Sequence, residues 1–145
     1  MLIKEFISKS LQETDEIAKQ VIELVPLNSI VCLNGDLGAG KTTFTKSFAK
    51  YLRIKDIITS PTFTILNEYE TEDLKLYHFD MYRIETEEEL AELGFDDIFN
   101  FQTDENCYIL VEWSSKTPNL VNKPKYSLNI EKIDENTRKF SLYKD

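Results

Sequence analysis

Glycine is scarce in this sequence: there are 4 in 145 residues, and three of them fall between Gly35 and Gly40. A chain so poor in glycine uses it where the backbone must take positive φ or pass close to a ligand. Arginine is confined to Arg53, Arg83 and Arg138. So few, so scattered, they supply no lid of the kind with which small-molecule kinases clamp phosphates. The two cysteines, Cys32 and Cys107, form neither a CxxC pair nor a metal-binding spacing. Each sits within or at the start of an apolar run, as buried inert thiols of a reducing compartment do. No apolar run reaches the roughly 18 residues of a membrane-spanning helix. The start, Met1 to Phe6, lacks the basic segment and apolar core of a signal peptide, so the expectation is a cytoplasmic protein with no membrane contact. Positive charge is also in deficit, with 17 Lys and Arg against 26 Asp and Glu and a net charge of −9. Phosphate backbones are bound by clustered basic residues, so direct nucleic-acid binding is not expected. Any nucleic acid in this protein's work would be held by a partner. Repeats and low-complexity stretches are absent. The length fits a single domain over 1–145, and 41% apolar with 30% charged residues is the balance of an ordinary soluble globule.

What is present centres on Gly35-Asp36-Leu37-Gly38-Ala39-Gly40-Lys41-Thr42. This fits G-x-x-x-x-G-K-[ST], the nucleotide phosphate loop. Its backbone N–H groups would cradle phosphates. Lys41 would reach the outer phosphates, and the Thr42 hydroxyl would hold magnesium. Asp36, Leu37, Gly38, Ala39, Gly40, Lys41, Thr42 and Thr43 are therefore the candidate nucleotide-binding residues, with ATP and Mg2+ as cofactors. The flanks agree. Ile30 to Leu33 reads as a buried parallel strand. Thr43 to Leu52 reads as a helix, with Phe44, Phe48, Tyr51 and Leu52 on one apolar face. Strand, glycine loop and helix N-terminus come in the order that phosphate binding needs.

The remaining chain supplies the frame and two carboxylates. Leu2 to Ile7 suits a short strand. Ser10 and Glu13 have the form of a capping box opening a helix, which buries Ile17, Ala18, Val21, Ile22 and Val25 and stops near Pro26. A helix placed there can lie near the base of a nucleotide. Thr59 to Thr64 reads either as a nucleotide-sensing switch, with Ser60 and Thr62 approaching the outer phosphate, or as a polar connector. Ile65 to Tyr69 and Leu74 to Asp80 suit two strands. The second sets His78, the chain's lone histidine, on one face with Asp80, where it could position that carboxylate. Thr86 to Glu89 is a second capping box, opening an acidic helix that stops at Gly94. Asn100 to Asn106 and Ser114 to Pro124 read as loops. Between them, Cys107 to Trp113 reads as a buried central strand whose acid, Glu112, lies at the sheet's C-terminal edge, placed to face Thr42 across the magnesium. Lys125 to Ile133 and Thr137 to Tyr143 read as a final hairpin. The fold class is α/β, a phosphate-loop-NTPase-like three-layer fold whose mixed sheet is parallel around the loop strand. The Asn-Lys-x-Asp signature of guanine binding is approached only at Asn122 to Lys125, which lacks the aspartate, so adenine is favoured. The chain also leaves no room for the helical subdomain of the large motor ATPases.

Four segments carry a resemblance: Gly35 to Thr43, Ser60-Pro61-Thr62-Phe63, His78-Phe79-Asp80-Met81-Tyr82-Arg83, and Val111-Glu112-Trp113. In this order and spacing they resemble the TsaE (YjeE) family, from about Ser10 to Trp113. The resemblance implies a bacterial ATPase that binds the TsaD–TsaB heterodimer and is required for threonylcarbamoyladenosine on tRNA, next to the anticodon. TsaD would perform the transfer, with the ATPase resetting the complex between turnovers. Carried over by position, Lys41 contacts phosphate, and Thr42 and Glu112 match the magnesium ligands. Asp80 matches a functionally important carboxylate, Trp113 the aromatic after the metal glutamate, and Ser60 to Phe63 a switch-like loop. The C-terminal strands lack the clearer basic pattern of several relatives, so no adenine-pocket residue is assigned there. Lys41, Asp80 and Glu112 form the catalytic set. Asp80 is the better candidate for orienting the attacking water and Glu112 for the metal, though these two roles could be exchanged. With Arg83 the one internal arginine-finger candidate, hydrolysis by the chain alone is expected to be slow and stimulated by the partner. A small-molecule kinase with its acceptor near Asp80 and a non-hydrolysing nucleotide-sensing scaffold are the alternatives. The acidic helix Thr86–Leu93 is one candidate docking surface.

Overall fold

The computed structural model describes residues 1–36, 38–99, 106–114 and 125–144. In chain order the elements are β1 (Leu2–Ser8), α1 (Leu11–Leu24), β2 (Ser29–Asn34), α2 (Lys41–Tyr51), β3 (Leu66–Glu70), β4 (Lys75–Asp80), α3 (Glu87–Glu92), α4 (Asp96–Phe99), β5 (Cys107–Glu112), β6 (Lys125–Lys132) and β7 (Arg138–Lys144).

The strands form one sheet in the order β1-β7-β6-β2-β5-β4-β3. β2 lies parallel to both β5 and β6, and β5 is parallel to β4. The pairs β1/β7, β6/β7 and β3/β4 are antiparallel. β5 is buried along its whole length and β2 at all but its last residue. This is why both read as continuous apolar runs rather than alternating ones.

Alternate residues of these strands face two separate cores. Val31, Leu33, Leu110 and Leu128 pack with Ile17 and Val21 of α1 and with Phe44 and Phe48 of α2. On the other side, Ile30, Cys32, Ile109 and Val111 pack with Phe79, Leu90 and Phe99, so α3 and α4 cover that face. The result is a three-layer arrangement, with both cysteines buried. No helix among the described residues is long and apolar enough to cross a membrane.

Local chemistry explains the helix ends. Ser10 caps α1 by accepting a bond from the Glu13 N–H at 3.1 Å. The return leg lands one residue earlier than the capping-box pattern predicts, because Glu13 accepts from the Lys9 N–H at 2.9 Å. In α3, Glu89 reaches back to the Thr86 N–H at 3.3 Å, and Gly94 follows the helix with φ 79°. α1 is tied to α2 through Asp15, which accepts from Ser47 at 2.6 Å and pairs with Lys50 at 2.9 Å. Burial pushes the Asp15 carboxyl up, but these two partners outweigh it and hold it below the usual carboxylate range.

Two sequence expectations need correction. Tyr51 is 43% exposed and lies off the apolar face of α2, where Thr45 and Ala49 are buried instead. Ile65 takes a positive φ of 70° and precedes β3 rather than starting it. The final hairpin forms as expected, and its first strand inserts beside β2. The predicted loops at 100–106 and 114–124 lie almost entirely outside the described residues, as does the near-match to a guanine signature.

The core geometry generates a paired prediction. Phe48 is fully buried, with its ring meeting Tyr108 edge-on at 5.2 Å. Phe48→Ala is expected to cost about 3–5 kcal/mol in urea unfolding. Tyr51→Ala is expected to stay within about 0.5 kcal/mol. Equal losses at the two positions would contradict the assigned face.

Candidate functional site

The C-terminal ends of β2, β4 and β5 meet at one edge of the sheet, where open α/β sheets hold ligands. The glycine loop leaves β2 there. Asp80 and Glu112 end β4 and β5 directly opposite each other in register. Because β7 runs antiparallel to β6, its first residue, Arg138, reaches the same edge opposite Ser8.

The glycines of the loop have distinct roles. A Cβ on Gly35 would sit 2.7 Å from the Ile130 carbonyl oxygen, so the loop can pass the sheet only without a side chain. Gly38 and Gly40 take φ of 81° and 110°, and Gly40 is the N-cap of α2 with no side chain capping the helix. The first turn of α2 therefore presents open backbone N–H groups and a positive dipole end.

A cleft of about 410 Å³ opens in front of this turn. Gly38, Gly40, Lys41, Thr42, Thr43, Ser60, Thr62, Asp80, Glu112 and Trp113 line it, joined by Tyr82 and Arg138. Lys41 is 7% exposed; its Nζ donates to the Gly35 carbonyl at 2.8 Å and lies 4.4 Å from the centroid of the Trp113 ring. Trp113 holds a positive φ of 60° and packs against Tyr82. Asp80, 3% exposed, accepts from the Thr62 hydroxyl at 2.8 Å and the Tyr82 N–H at 2.9 Å. Ser60 and Thr62 share a hydrogen bond at 2.9 Å, so the Thr59–Thr64 segment is fastened to that carboxylate. Glu112, 4% exposed, meets His78 Nε2 through Oε2 at 2.7 Å.

His78 thus departs from the sequence expectation. It shares a strand face with Asp80, but its hydrogen bond goes to Glu112 on the neighbouring strand. Asp36 is exposed and lines neither cleft, although its carbonyl accepts from the Ala39 N–H at 3.0 Å. Leu37 lies outside the described residues. Ala39 is buried and lines a second cleft of about 240 Å³ on the other side of Gly40. Ser10, Thr14, Thr43, Asn136, Arg138 and Phe140 also line that cleft.

Arg138 borders both clefts and was missed by sequence reasoning. Its Nε donates to the Ala39 carbonyl at 3.0 Å, and Nη1 holds the Asp134 carbonyl at 2.8 Å. The signal available was its place just after a predicted hairpin turn, but nothing local ties that hairpin to β2.

The donor set suits a hard cation. Thr42, Asp80 and Glu112 offer only oxygen, which is what magnesium takes, usually with one or two carboxylates plus phosphate and water. Among the described residues no cluster of His, Cys, Asp or Glu could hold a metal alone. A metal carried in on phosphate fits that composition.

Sheet order, glycine loop and facing carboxylates define a phosphate-loop-NTPase-like α/β protein. Comparison with known proteins narrows this. Residues 8–140 match the family model described as threonylcarbamoyl adenosine biosynthesis protein TsaE. The tRNA threonylcarbamoyladenosine biosynthesis protein TsaE of Rickettsia prowazekii is 41% identical over 94% of this chain and 92% of its own length. That of Aquifex aeolicus is 38% identical over 99% and 98%. Among solved structures, the crystal structure of Bacillus subtilis YdiB superposes with a TM-score of 0.79 at 32% identity, covering 99% of this chain and 87% of that one. This chain belongs to the TsaE family, whose members serve the biosynthesis of threonylcarbamoyladenosine in tRNA.

The close approach at Gly35 is directly testable. Gly35→Ala places a methyl group against a backbone oxygen that cannot rotate away. It is expected to destabilise the fold by about 1–3 kcal/mol in urea unfolding. An unchanged midpoint would contradict the contact.

Proposed function

We propose that this chain binds Mg-ATP in the cleft in front of α2, hydrolyses it, and acts on the TsaD–TsaB heterodimer to reset it between turnovers in tRNA threonylcarbamoyladenosine synthesis. One observation carries the reading: Lys41, Thr42, Asp80 and Glu112 line a single cleft before an uncapped helix N-terminus. That combination suits a polyphosphate and its metal and little else.

The phosphates lie on the backbone of Gly38 to Thr43. Lys41 leaves the Gly35 carbonyl and the Trp113 ring to meet the outer phosphates. Thr42 and Glu112 would hold magnesium, which would neutralise charge on the phosphate oxygens. Asp80 orients the attacking water, and Thr62 links that carboxylate to the Thr59–Thr64 segment as a switch would. Phosphoryl transfer asks for positioning and electrostatics more than covalent help, and this site offers both. The base and ribose extend into the smaller cleft, which shares Gly40, Thr43 and Arg138 with the larger. Its mixed wall, with Phe140 and Ala39 beside Ser10, Thr14 and Asn136, suits adenine. Arg83 stacks over the exposed ring of Phe63 at 5.4 Å, outside the lining of both clefts. With Arg83 off the site and Arg138 engaged by the Ala39 and Asp134 carbonyls, the chain hydrolyses slowly by itself, and the partner supplies the stimulation. An acidic, cytoplasmic protein that leaves tRNA to its partner agrees with the net charge of −9.

Phosphate release from ATP by the purified chain tests the reading, with and without its cognate TsaD–TsaB heterodimer. The expected result is a low basal rate that rises on adding the heterodimer. A rate indifferent to the heterodimer, with no binding between them, would overturn it. Arg138→Ala tests the nucleotide path separately. It is expected to weaken ATP binding about tenfold in calorimetric titration, the loss of one charge-assisted contact. Unchanged affinity would remove Arg138 from the path.

A further inference from the structure

His78 is fully buried, yet among the described residues its ring has one polar partner. Nε2 meets Glu112 Oε2 at 2.7 Å, while Nδ1 is buried with no hydrogen-bond partner among the described residues. Buried polar groups are normally satisfied, and an unsatisfied one counts against folding. A leucine or phenylalanine would fill this position in the core without leaving an atom unpaired. The polarity of the ring therefore answers to the single bond it makes.

The sheet register explains the bond. His78 pairs with Leu110, and Asp80 with Glu112. The imidazole thus stands one two-residue step beneath the sheet edge, diagonally behind the Glu112 carboxylate. A carboxylate only accepts, so in the bond to an ionised Glu112 the donor is Nε2. This bond engages Oε2, while the Glu112 residue lines the cleft.

We propose that His78 is a positioning residue for the metal-binding carboxylate: it pins Oε2 of Glu112 so that Oε1 is held in one orientation for magnesium. A glutamate has three rotatable side-chain bonds, and a ligand that must find its orientation at each binding event binds the metal less tightly. Hydrogen bonds to ligating carboxylates serve this purpose in metal sites generally, and their loss costs 10–100-fold in metal affinity or activity. The proposal rests on Glu112 being a magnesium ligand.

The test compares His78→Gln, whose amide nitrogen reaches the position of Nε2, with His78→Asn, whose amide falls short of it. Both are made in the full chain, with folding checked by thermal melting. Binding of a non-hydrolysable ATP analogue is measured without magnesium and at increasing magnesium. His78→Asn is expected to weaken the apparent magnesium affinity about tenfold and to leave magnesium-free binding within about twofold. His78→Gln is expected to restore the magnesium response to within about threefold of the parent. His78→Phe, which has no donor, replaces either variant that does not fold: it takes the expectation of His78→Asn, or, measured beside it, must share its loss. The proposal is overturned if the shortened or donorless variants keep the parental magnesium response, or if binding falls equally with and without magnesium. Glu112→Gln separates the two layers. If it leaves the magnesium response intact, Glu112 is not a ligand and both readings fall. If it abolishes the response while His78→Asn does not, only the role of His78 falls.

Discussion

The parallel seating of β2 between β5 and β6 is the constraint on which the rest depends. Parallel strands end at the same edge, so the loop leaving β2 and the acid closing β5 must meet there. The next parallel neighbour, β4, adds Asp80 to the same edge. An antiparallel strand in place of β4 or β5 would send its carboxylate to the opposite edge of the sheet. The close contact of Gly35 with the Ile130 carbonyl shows how tightly the loop is drawn onto this frame. Backbone pairing, rather than contact between the functional side chains, brings them together.

Charges buried at such an edge need partners, and each finds a different kind. Asp80 takes a hydroxyl and a backbone N–H, Glu112 an imidazole, and Lys41 a carbonyl and an aromatic face. Glu112 is held by a fully buried imidazole and Asp80 partly by the Tyr82 backbone N–H, whereas the lysine is held by a loop carbonyl and the face of a ring. Such an arrangement suits the proposed role, in which the acids would set geometry and the cation would follow its ligand.

How much of this was legible in the sequence depends on distance along the chain. The strand, glycine loop and helix from Ile30 to Leu52 were readable because an eight-residue motif and two periodicities act locally. The acid ending β5 was readable because a fully buried strand leaves few places for a carboxylate. The partner of His78 was not, since it depends on the register of β4 with β5, which sets Glu112 two residues beyond the residue opposite His78. Arg138 was hidden for a similar reason: the hairpin that carries it was visible, but its docking beside β2 joins residues far apart in the chain. Tyr51 shows the limit of periodicity itself. An aromatic at helical spacing need not lie under the sheet when the helix ends there. Family resemblance supplied roles for Lys41, Thr42, Asp80 and Glu112, but no resemblance gives the direction of a hydrogen bond.

In the proposed role, the engagement of Lys41 would set a threshold for entry. Any anion must first compete with the Gly35 carbonyl and the Trp113 ring for the same ammonium group. That cost is fixed, whatever the visitor. An anion able to make only one or two other contacts recovers little of it and leaves. A longer chain of charged oxygens, able to run along the whole N-terminal turn of α2, recovers it several times over. In the proposed role, this competitor built into the loop's own backbone would favour a polyphosphate over the simple inorganic anions abundant in any cell.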